Sequence, residues 1–180
     1  NVSLEPSSVI HISVPPLPNK FFGSGKILGY LNLPSDSSLI KGLVLILHGL
    51  GGSSKRLGVR RMTKSLLDND FAVLRLNLRG SDPSRAFAPG SYSAKCNSDL
   101  TPVIREMRQL CNQLSERVST SKSPIPLLAV GISLGGTILL NTCLDENVND
   151  SLDGKTFDGL VCTSSPLDLI SCSKSIERRR

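Results

Sequence analysis

The chain contains 180 residues, of which 39% are hydrophobic and 20% are charged, a balance typical of one globular domain with a sizeable core. It has no Trp and only 4% aromatic residues, which argues against a nucleic-acid surface built on stacked aromatic rings. The net charge of +6 is compatible with an anionic substrate, a membrane surface or nucleic acid, and it favours none of them.

The sequence indicates neither a membrane span nor a disulfide framework. Its apolar runs are shorter than the roughly 18 residues that a transmembrane helix needs. The five cysteines form no C-x-x-C pair, which predicts reduced structural thiols in a cytoplasmic protein: Cys96, Cys111, Cys143, Cys162 and Cys172.

The N-terminal part predicts two strands. Residues Val9–Val14 alternate loosely and are followed by two prolines, and His11 within them is expected to be a packed or surface residue. Residues Gly23–Lys26 resemble the end of a phosphate-binding loop, but the first Gly and the Ser/Thr of that motif are missing. We therefore predict a hairpin turn there, leading into a second strand over Ile27–Leu33.

Residues Leu43–Leu47 are entirely apolar, which predicts a central parallel strand, and they lead into the loop His48-Gly49-Leu50-Gly51-Gly52. Glycines in such a loop let backbone N–H groups point towards an anion. A dinucleotide-binding loop would need Gly in place of Ser54, whereas the oxyanion loop of an acyl-transfer enzyme fits in outline. We expect the N–H of Leu50, alone or with that of Gly51, to be one oxyanion donor.

A helix over Arg56–Asn69 and a strand over Phe71–Leu78 are predicted next. The helix has a basic face that we interpret as solvated rather than as a nucleic-acid site: Arg56, Arg60, Arg61 and Lys64. Its apolar residues are Leu57, Met62, Leu66 and Leu67. The strand leads into Arg79-Gly80-Ser81, at the edge where α/β proteins build their sites.

Residues Pro83–Ser98 predict a long loop, and Asp99–Ser119 predict an amphipathic helix. The apolar residues of this helix follow the i, i+3, i+4, i+7 rule: Leu100, Val103, Ile104, Met107, Leu110, Cys111, Leu114 and Val118.

The central motif is Gly131-Ile132-Ser133-Leu134-Gly135, a G-x-S-x-G sequence between an apolar strand at Leu127–Val130 and an apolar helix. A strand that turns directly into a helix forces the Ser into a strained conformation with φ > 0 and leaves no room for side chains at the two glycines. Ser133 is therefore the candidate nucleophile, and the N–H of Leu134 is the second oxyanion donor. The alternative is a glycine-rich turn whose Ser only caps the helix.

The rest of the chain predicts a polar loop over Asp145–Lys155 and an apolar edge strand over Gly159–Thr163. Strands and helices alternate from residue 43 onwards, which predicts an α/β fold: a mostly parallel sheet with helices on both faces and the glycine-rich turns on one edge. We expect a single domain, with residues 1–26 as an N-terminal extension and first strand and residues 27–180 as the core.

Four segments resemble the α/β-hydrolase superfamily, and more narrowly its YheT-type predicted hydrolases: HGLGGSS, NLRGS, GISLGGTILLN and TSSPLDL. That branch is related to plant embryogenesis-associated proteins and animal abhydrolase-domain lipases, and the similarity runs from about Gly29 to the C-terminus. The resemblance implies a serine esterase or lipase with Ser133 as nucleophile and Leu50 and Leu134 as oxyanion donors. It implies a small-molecule ester or lipid substrate, peripheral membrane contact, and neither cofactor, metal nor nucleic acid.

One departure from that family concerns the triad, whose order is Ser, then Asp or Glu, then His. The sequence has only His11 and His48, both before Ser133, and the family's counterpart of His48 is structural. Asp168 is either the acid or the cap of a following helix. We therefore expect an N-terminal fragment that lacks the last strands, the acid and the His, and that is inactive by itself. The alternatives are a catalytically dead hydrolase-fold binding protein and an anion- or nucleic-acid-binding module.

Overall fold

The structure is a computed structural model that describes residues 4–17, 23–95, 97–118, 123–153 and 155–178. Six strands of these residues form one sheet: β1 (Ser8–Val14), β2 (Gly25–Asn32), β3 (Gly42–Leu47), β4 (Phe71–Asn77), β5 (Leu127–Ile132) and β6 (Gly159–Thr163). Their order is β1-β2-β4-β3-β5-β6. The β1–β2 and β2–β4 pairs are antiparallel, whereas β4, β3, β5 and β6 run parallel. The predicted α/β fold with a mostly parallel sheet is confirmed.

The described residues include these α-helices: α1 (Leu57–Leu67), α2 (Asn97–Ser115), α3 (Leu134–Leu144), α4 (Glu146–Ser151) and α5 (Leu169–Glu177). Short 3₁₀ helices occur at Ser37–Leu39 and Ser84–Ala86. The predicted polar loop over Asp145–Lys155 is wrong, because it contains α4. The Asp145 carboxylate accepts a hydrogen bond from the Asn147 N–H at 3.0 Å, and this cap starts a short polar helix that hydrophobic periodicity does not reveal.

The predicted hairpin turn at residues 23–26 is corrected in part. β2 already begins at Gly25, so Gly25 and Lys26 belong to the strand and pair with β1. A Cβ on Gly25 would lie 2.6 Å from the Ala88 Cα. The close approach of that backbone explains why this strand position is a glycine. Residues 18–22 lie outside the described part of the chain.

Helices cover both faces of the sheet. On one face, α1 packs its buried Val59 against Val44, Ile46 and Val73. On the other face, α2 and α3 cover the larger core, and six of the predicted α2 residues are fully buried: Leu100, Val103, Ile104, Met107, Cys111 and Leu114. Leu57, one of the apolar residues of this predicted helix, is 50% exposed. Two residues correspond to about 200° around a helix, so Leu57 points away from the face that holds Val59.

The parallel strands place four turns at one edge of the sheet. β3 leads into His48, β4 into the turn at Arg79, β5 into Ser133 and β6 into Ser164. β6 is the terminal strand of the described sheet, as predicted, and its Val161 is 59% exposed. The edge predicted to carry the site is therefore assembled as expected.

The described cysteines are free thiols. Cys111, Cys143, Cys162 and Cys172 are free, and burial raises the pKa of the Cys111 thiol to about 11. Cys96 lies outside the described residues. Within the residues described, no helix has the length and apolar character that crossing a membrane requires.

Candidate active site

Ser133 is held in a strained backbone conformation between β5 and α3. Its φ is 53° and its ψ is −125°, which confirms the predicted positive φ. The Ser133 N–H donates to the Thr163 carbonyl at 2.8 Å, so β6 supports the turn from one side. Ser133 occupies the N-cap position of α3, but its side chain makes no capping hydrogen bond, and the cap-only interpretation is therefore wrong. Strain of this kind is retained at functional sites.

The two glycines of the motif are required by close approach, as predicted, although by different neighbours. A Cβ on Gly131 would lie 2.8 Å from the Gly135 carbonyl carbon and closer still to the Gly136 backbone. A Cβ on Gly135 would lie 2.6 Å from the His48 carbonyl oxygen and 2.7 Å from that of Leu47. α3 therefore packs directly on the end of β3, which brings the Ser133 turn and the His48 loop together.

The loop after β3, residues 48–52, lies against Ser133. A Cβ on Gly49 would be 2.9 Å from the Ser133 Cβ, so this backbone reaches the Ser side chain. The N–H groups of Leu50 and Leu134 donate to no described residue, and Leu50 itself is 74% exposed. The Gly51 N–H instead donates to the Tyr92 hydroxyl at 2.8 Å. Of the two predicted donors in this loop, Leu50 has the unoccupied N–H.

Tyr92 and Arg56 hold this loop, and sequence reasoning assigned neither residue to it. The Tyr92 hydroxyl donates to the Gly49 carbonyl at 3.0 Å, and its ring packs edge-on against His48 at 5.5 Å between ring centres. The Arg56 guanidinium donates to the Gly51 carbonyl at 2.8 Å. Tyr92 belongs to the predicted long loop, and no local pattern indicates that it folds back over the His48 loop.

His48 is a buried residue that joins the ends of β3 and β4. Its Nδ1 lies 2.9 Å from the Gly49 carbonyl, and its Nε2 accepts the Leu78 N–H at 3.3 Å and lies 3.2 Å from the Ser81 hydroxyl. Burial lowers the pKa of His48, so the neutral ring with its proton on Nδ1 fits these contacts. Both nitrogens are used inside the protein, and neither is directed to a reacting group.

Arg79, at the carboxyl end of β4, is fully buried and paired. Its guanidinium donates to both oxygens of Asp99 on α2, at 2.7 and 2.9 Å. It also donates to the carbonyls of Pro15, at 2.7 Å, and Pro89, at 3.1 Å. Arg79 therefore links the end of β4 to α2 and to the backbone at Pro15 and Pro89, and we assign it a structural role.

Two further candidates lie outside the Ser133 turn. Asp168 accepts the Ser171 N–H at 2.9 Å and the Ser171 hydroxyl at 2.7 Å, so it caps α5, which is the structural role predicted as one alternative. Its pKa is lowered by these hydrogen bonds. His11 is exposed on β1 and contacts the ring of Phe87, in agreement with its prediction as a surface residue.

A cavity of about 260 Å³ lies behind the His48 loop, between His48, Val59 of α1 and Ile132. A larger cavity of about 740 Å³ includes Pro126 and Asp158, at the amino ends of β5 and β6. The length of a strand separates the second cavity from Ser133, and the smaller cavity is the one beside the candidate chemistry. Among the described residues, no three His, Cys, Asp or Glu side chains are placed to hold a metal ion.

The comparisons with known proteins agree with this geometry. The family model described as serine aminopeptidase, S33 matches residues 39–173. An α/β serine hydrolase without a lid from Xanthomonas campestris has a TM-score of 0.59 at 17% identity, covering 93% of this chain and 66% of that protein. An esterase from Pyrococcus furiosus has a TM-score of 0.65 at 14% identity, covering 95% and 58%.

A thermophilic esterase from Thermogutta terrifontis is also similar, with a TM-score of 0.57 at 18% identity, covering 96% of this chain and 52% of the esterase. The chain thus spans between about half and two thirds of the length of these three proteins. At these identities the neighbours establish the fold, while the family model covers most of the sequence, including the Ser133 turn and the His48 loop. The chain belongs to the serine aminopeptidase S33 family of α/β hydrolases.

Proposed function

We propose that this protein is a serine hydrolase of carboxylic esters, of the YheT-type branch, that acts on a small-molecule ester or lipid. Ser133 is the nucleophile, and the N–H groups of Leu50 and Leu134 form the oxyanion hole. The observation that carries the proposal is the conformation of Ser133, with φ of 53° and no capping bond, beside two N–H groups that donate to no described residue. The esterase neighbours support an ester as the substrate class.

In the proposed reaction, Ser133 Oγ attacks the ester carbonyl carbon and loses its proton to a base. The carbonyl oxygen takes up the displaced electron pair, and the N–H groups of Leu50 and Leu134 bind it. Each such donor contributes about 3 kcal/mol to the stabilisation of the transition state. The alcohol then leaves with the proton. Water attacks the acyl-enzyme in its place, gives its proton to the base, and releases the carboxylic acid as Ser133 Oγ takes the proton back.

The base is the part of the proposal that these residues do not supply. His48 uses both ring nitrogens within its own loops, and His11 lies on β1, four strand positions from β5. At the usual strand spacing that is roughly 19 Å. Asp168 is engaged as the cap of α5. We therefore propose that the histidine and the acid of the triad come from outside residues 1–180.

The test is hydrolysis of p-nitrophenyl butyrate by the complete gene product and its Ser133→Ala variant. We expect the substitution to reduce kcat/KM by roughly 10⁴- to 10⁶-fold, because the nucleophile is lost while the fold is retained. Ser165→Ala is the matched control, since Ser165 lies just after β6 at the same edge and is given no role. Equal activity of all three proteins would contradict the assignment of Ser133.

A second substrate separates ester hydrolysis from the peptide chemistry in the family's name. An aminoacyl p-nitroanilide presents an amide and a free amino group in place of the ester. Cleavage of the anilide, with no cleavage of the ester, would overturn the proposed substrate class and leave Ser133 as nucleophile. Absence of any Ser133-dependent turnover would instead favour the hydrolase-fold binding protein.

A further inference from the structure

A third cavity, of about 390 Å³, lies on the α1 face of the sheet, next to β2 and β4. Its wall contains the side chains of Lys55, Arg60 and Arg75, together with Tyr30 and the N-terminal residues Leu4–Pro6. Glu5 is the acidic residue of this wall, so three cations face one carboxylate. The cavity lies within the size range of small-molecule sites.

Arg75 is a buried cation whose hydrogen-bond partners, among the residues that the structure describes, are all neutral. It is 3% exposed and donates to the Asn32 side-chain oxygen at 2.9 and 3.1 Å, to the Ser54 carbonyl at 3.2 Å and to the Leu4 carbonyl at 3.5 Å. Among the described residues, no carboxylate lies within salt-bridge distance of it. These bonds use four of its five N–H groups and leave one on Nη1. A buried charge without a counterion is costly.

Arg79, two residues beyond the end of β4, is a second buried arginine, and it differs from Arg75 in its partners. Arg79 is just as buried, but Asp99 neutralises it through two hydrogen bonds. Both arginines are held by backbone carbonyls, but Arg75 forms no ion pair with a described carboxylate, and Glu5 acts on it only through its charge. A ligand would supply the anion in direct contact that Arg75 does not have among the described residues.

The surroundings of Arg75 add positive charge to the cavity. Neither Lys55 nor Arg60 forms a salt bridge with a described residue, and the first turn of α1 contains no acidic residue. Burial, and after it the Arg60 cation, lower the pKa of Arg75, while Tyr30 and Glu5 act in the opposite direction and do not cancel this effect. The start of α1 also contributes the positive end of its helix dipole. The electrostatics therefore favour a ligand with more than one negative charge.

We propose that this cavity binds a phosphate monoester, with the phosphate between Lys55, Arg60 and Arg75. Arginine and lysine at one site suit a dianionic phosphate, because the planar guanidinium offers paired donors and the ammonium offers a point charge. The Tyr30 ring, which lies 5.6 Å from the Arg75 guanidinium carbon, and the side chains of Leu4 and Pro6 line the space for the organic group. The site is separate from Ser133 and does not depend on its chemistry.

The test is calorimetric titration of the chain with phenyl phosphate in a chloride-free buffer at low ionic strength. We expect saturable binding at one site, and we expect Lys55→Gln and Arg60→Gln each to weaken it about tenfold through loss of one charged contact. Arg61→Gln is the matched control, because Arg61 is the next residue of α1 and does not line the cavity. It should change the affinity by less than about twofold.

Three results would overturn the proposal. The first is the absence of saturable binding. The second is a loss of affinity in Arg61→Gln equal to that in Lys55→Gln and Arg60→Gln, which would indicate only a diffuse positive field. The third is binding of benzoate as tight as that of phenyl phosphate, which would exclude a preference for phosphate. Co-sedimentation with phosphatidate vesicles, compared with phenyl phosphate in solution, distinguishes a lipid headgroup from a soluble phosphate ester. Unchanged binding in Ser133→Ala would separate this site from the proposed esterase function.

Discussion

At the scale of single residues, the candidate site depends on the strained backbone of Ser133 and on three glycines at which a Cβ does not fit. Ser133 adopts a positive φ, and Gly49, Gly131 and Gly135 each bring a backbone into direct contact with its neighbours. A Cβ at any of these glycines would displace the turn that presents the Ser133 hydroxyl. The glycines are therefore required by the packing between α3, β3 and the His48 loop.

Gly135→Ala is expected to lower the free energy of unfolding by about 2–4 kcal/mol, because its Cβ would meet two backbone carbonyls that cannot move independently. Gly58→Ala is the control: Gly58 lies in α1, nothing surrounds its Cβ position within 4 Å, and alanine favours helix by up to about 1 kcal/mol. Urea denaturation of both variants measures the difference. Equal stability of the two variants would contradict the packing argument.

At the scale of elements, the buried Arg79–Asp99 pair joins the end of β4 to the start of α2. Asp99→Asn leaves the Arg79 guanidinium buried without a counterion, and we expect a loss of about 3–5 kcal/mol in the free energy of unfolding. The control is Asp68→Asn in the exposed Lys64–Asp68 pair, which should change stability by less than about 0.5 kcal/mol. Thermal and urea unfolding measure the stability loss in both variants. A loss in Asp99→Asn no larger than the loss in Asp68→Asn would contradict the prediction, because it would show that water compensates Arg79.

At the scale of the whole molecule, His48 makes stability depend on pH. Its pKa is lowered by burial in the folded protein from an ordinary value of 6.5, so the unfolded chain takes up a proton first as the pH falls. Stability is therefore fully present above pH 6.5 and is lost below it, by at most about 1.4 kcal/mol per pH unit, until the folded-state pKa is reached.

This pH dependence can be assigned because the chain has only two histidines. Urea denaturation between about pH 5 and pH 7.5 should show the slope in the wild type and in His11→Gln, whose ring is exposed, and not in His48→Gln. Asp158 does not contribute in this range. Burial raises its pKa, but hydrogen bonds from Lys155, the Leu127 N–H and Arg108 outweigh burial and lower the pKa to about 2. A slope retained in His48→Gln would refute the assignment.

The elements that sequence reasoning predicted well are those with a long or uniform hydrophobic signal. α2 buries its apolar stripe as expected, and β3 is buried along its whole length. The prediction of a polar loop failed where the signal is short, because α4 has only 6 residues and begins at the Asp145 cap. Periodicity needs several turns to define a face, and a single turn does not provide them.

The sequence by itself determined which strand each motif follows, the sharp turn at Ser133 and the need for glycine on both sides of it. These features depend on residues that are neighbours in the chain. The tertiary structure alone decided that the Gly51 N–H donates to Tyr92, whereas the Leu50 N–H donates to no described residue. It also decided that Arg79 finds Asp99 while Arg75 finds no carboxylate among the described residues. These contacts join residues 20 to 43 positions apart, as in Arg79–Asp99 and Tyr92–Gly49, and no local pattern encodes which distant groups the packed sheet brings together.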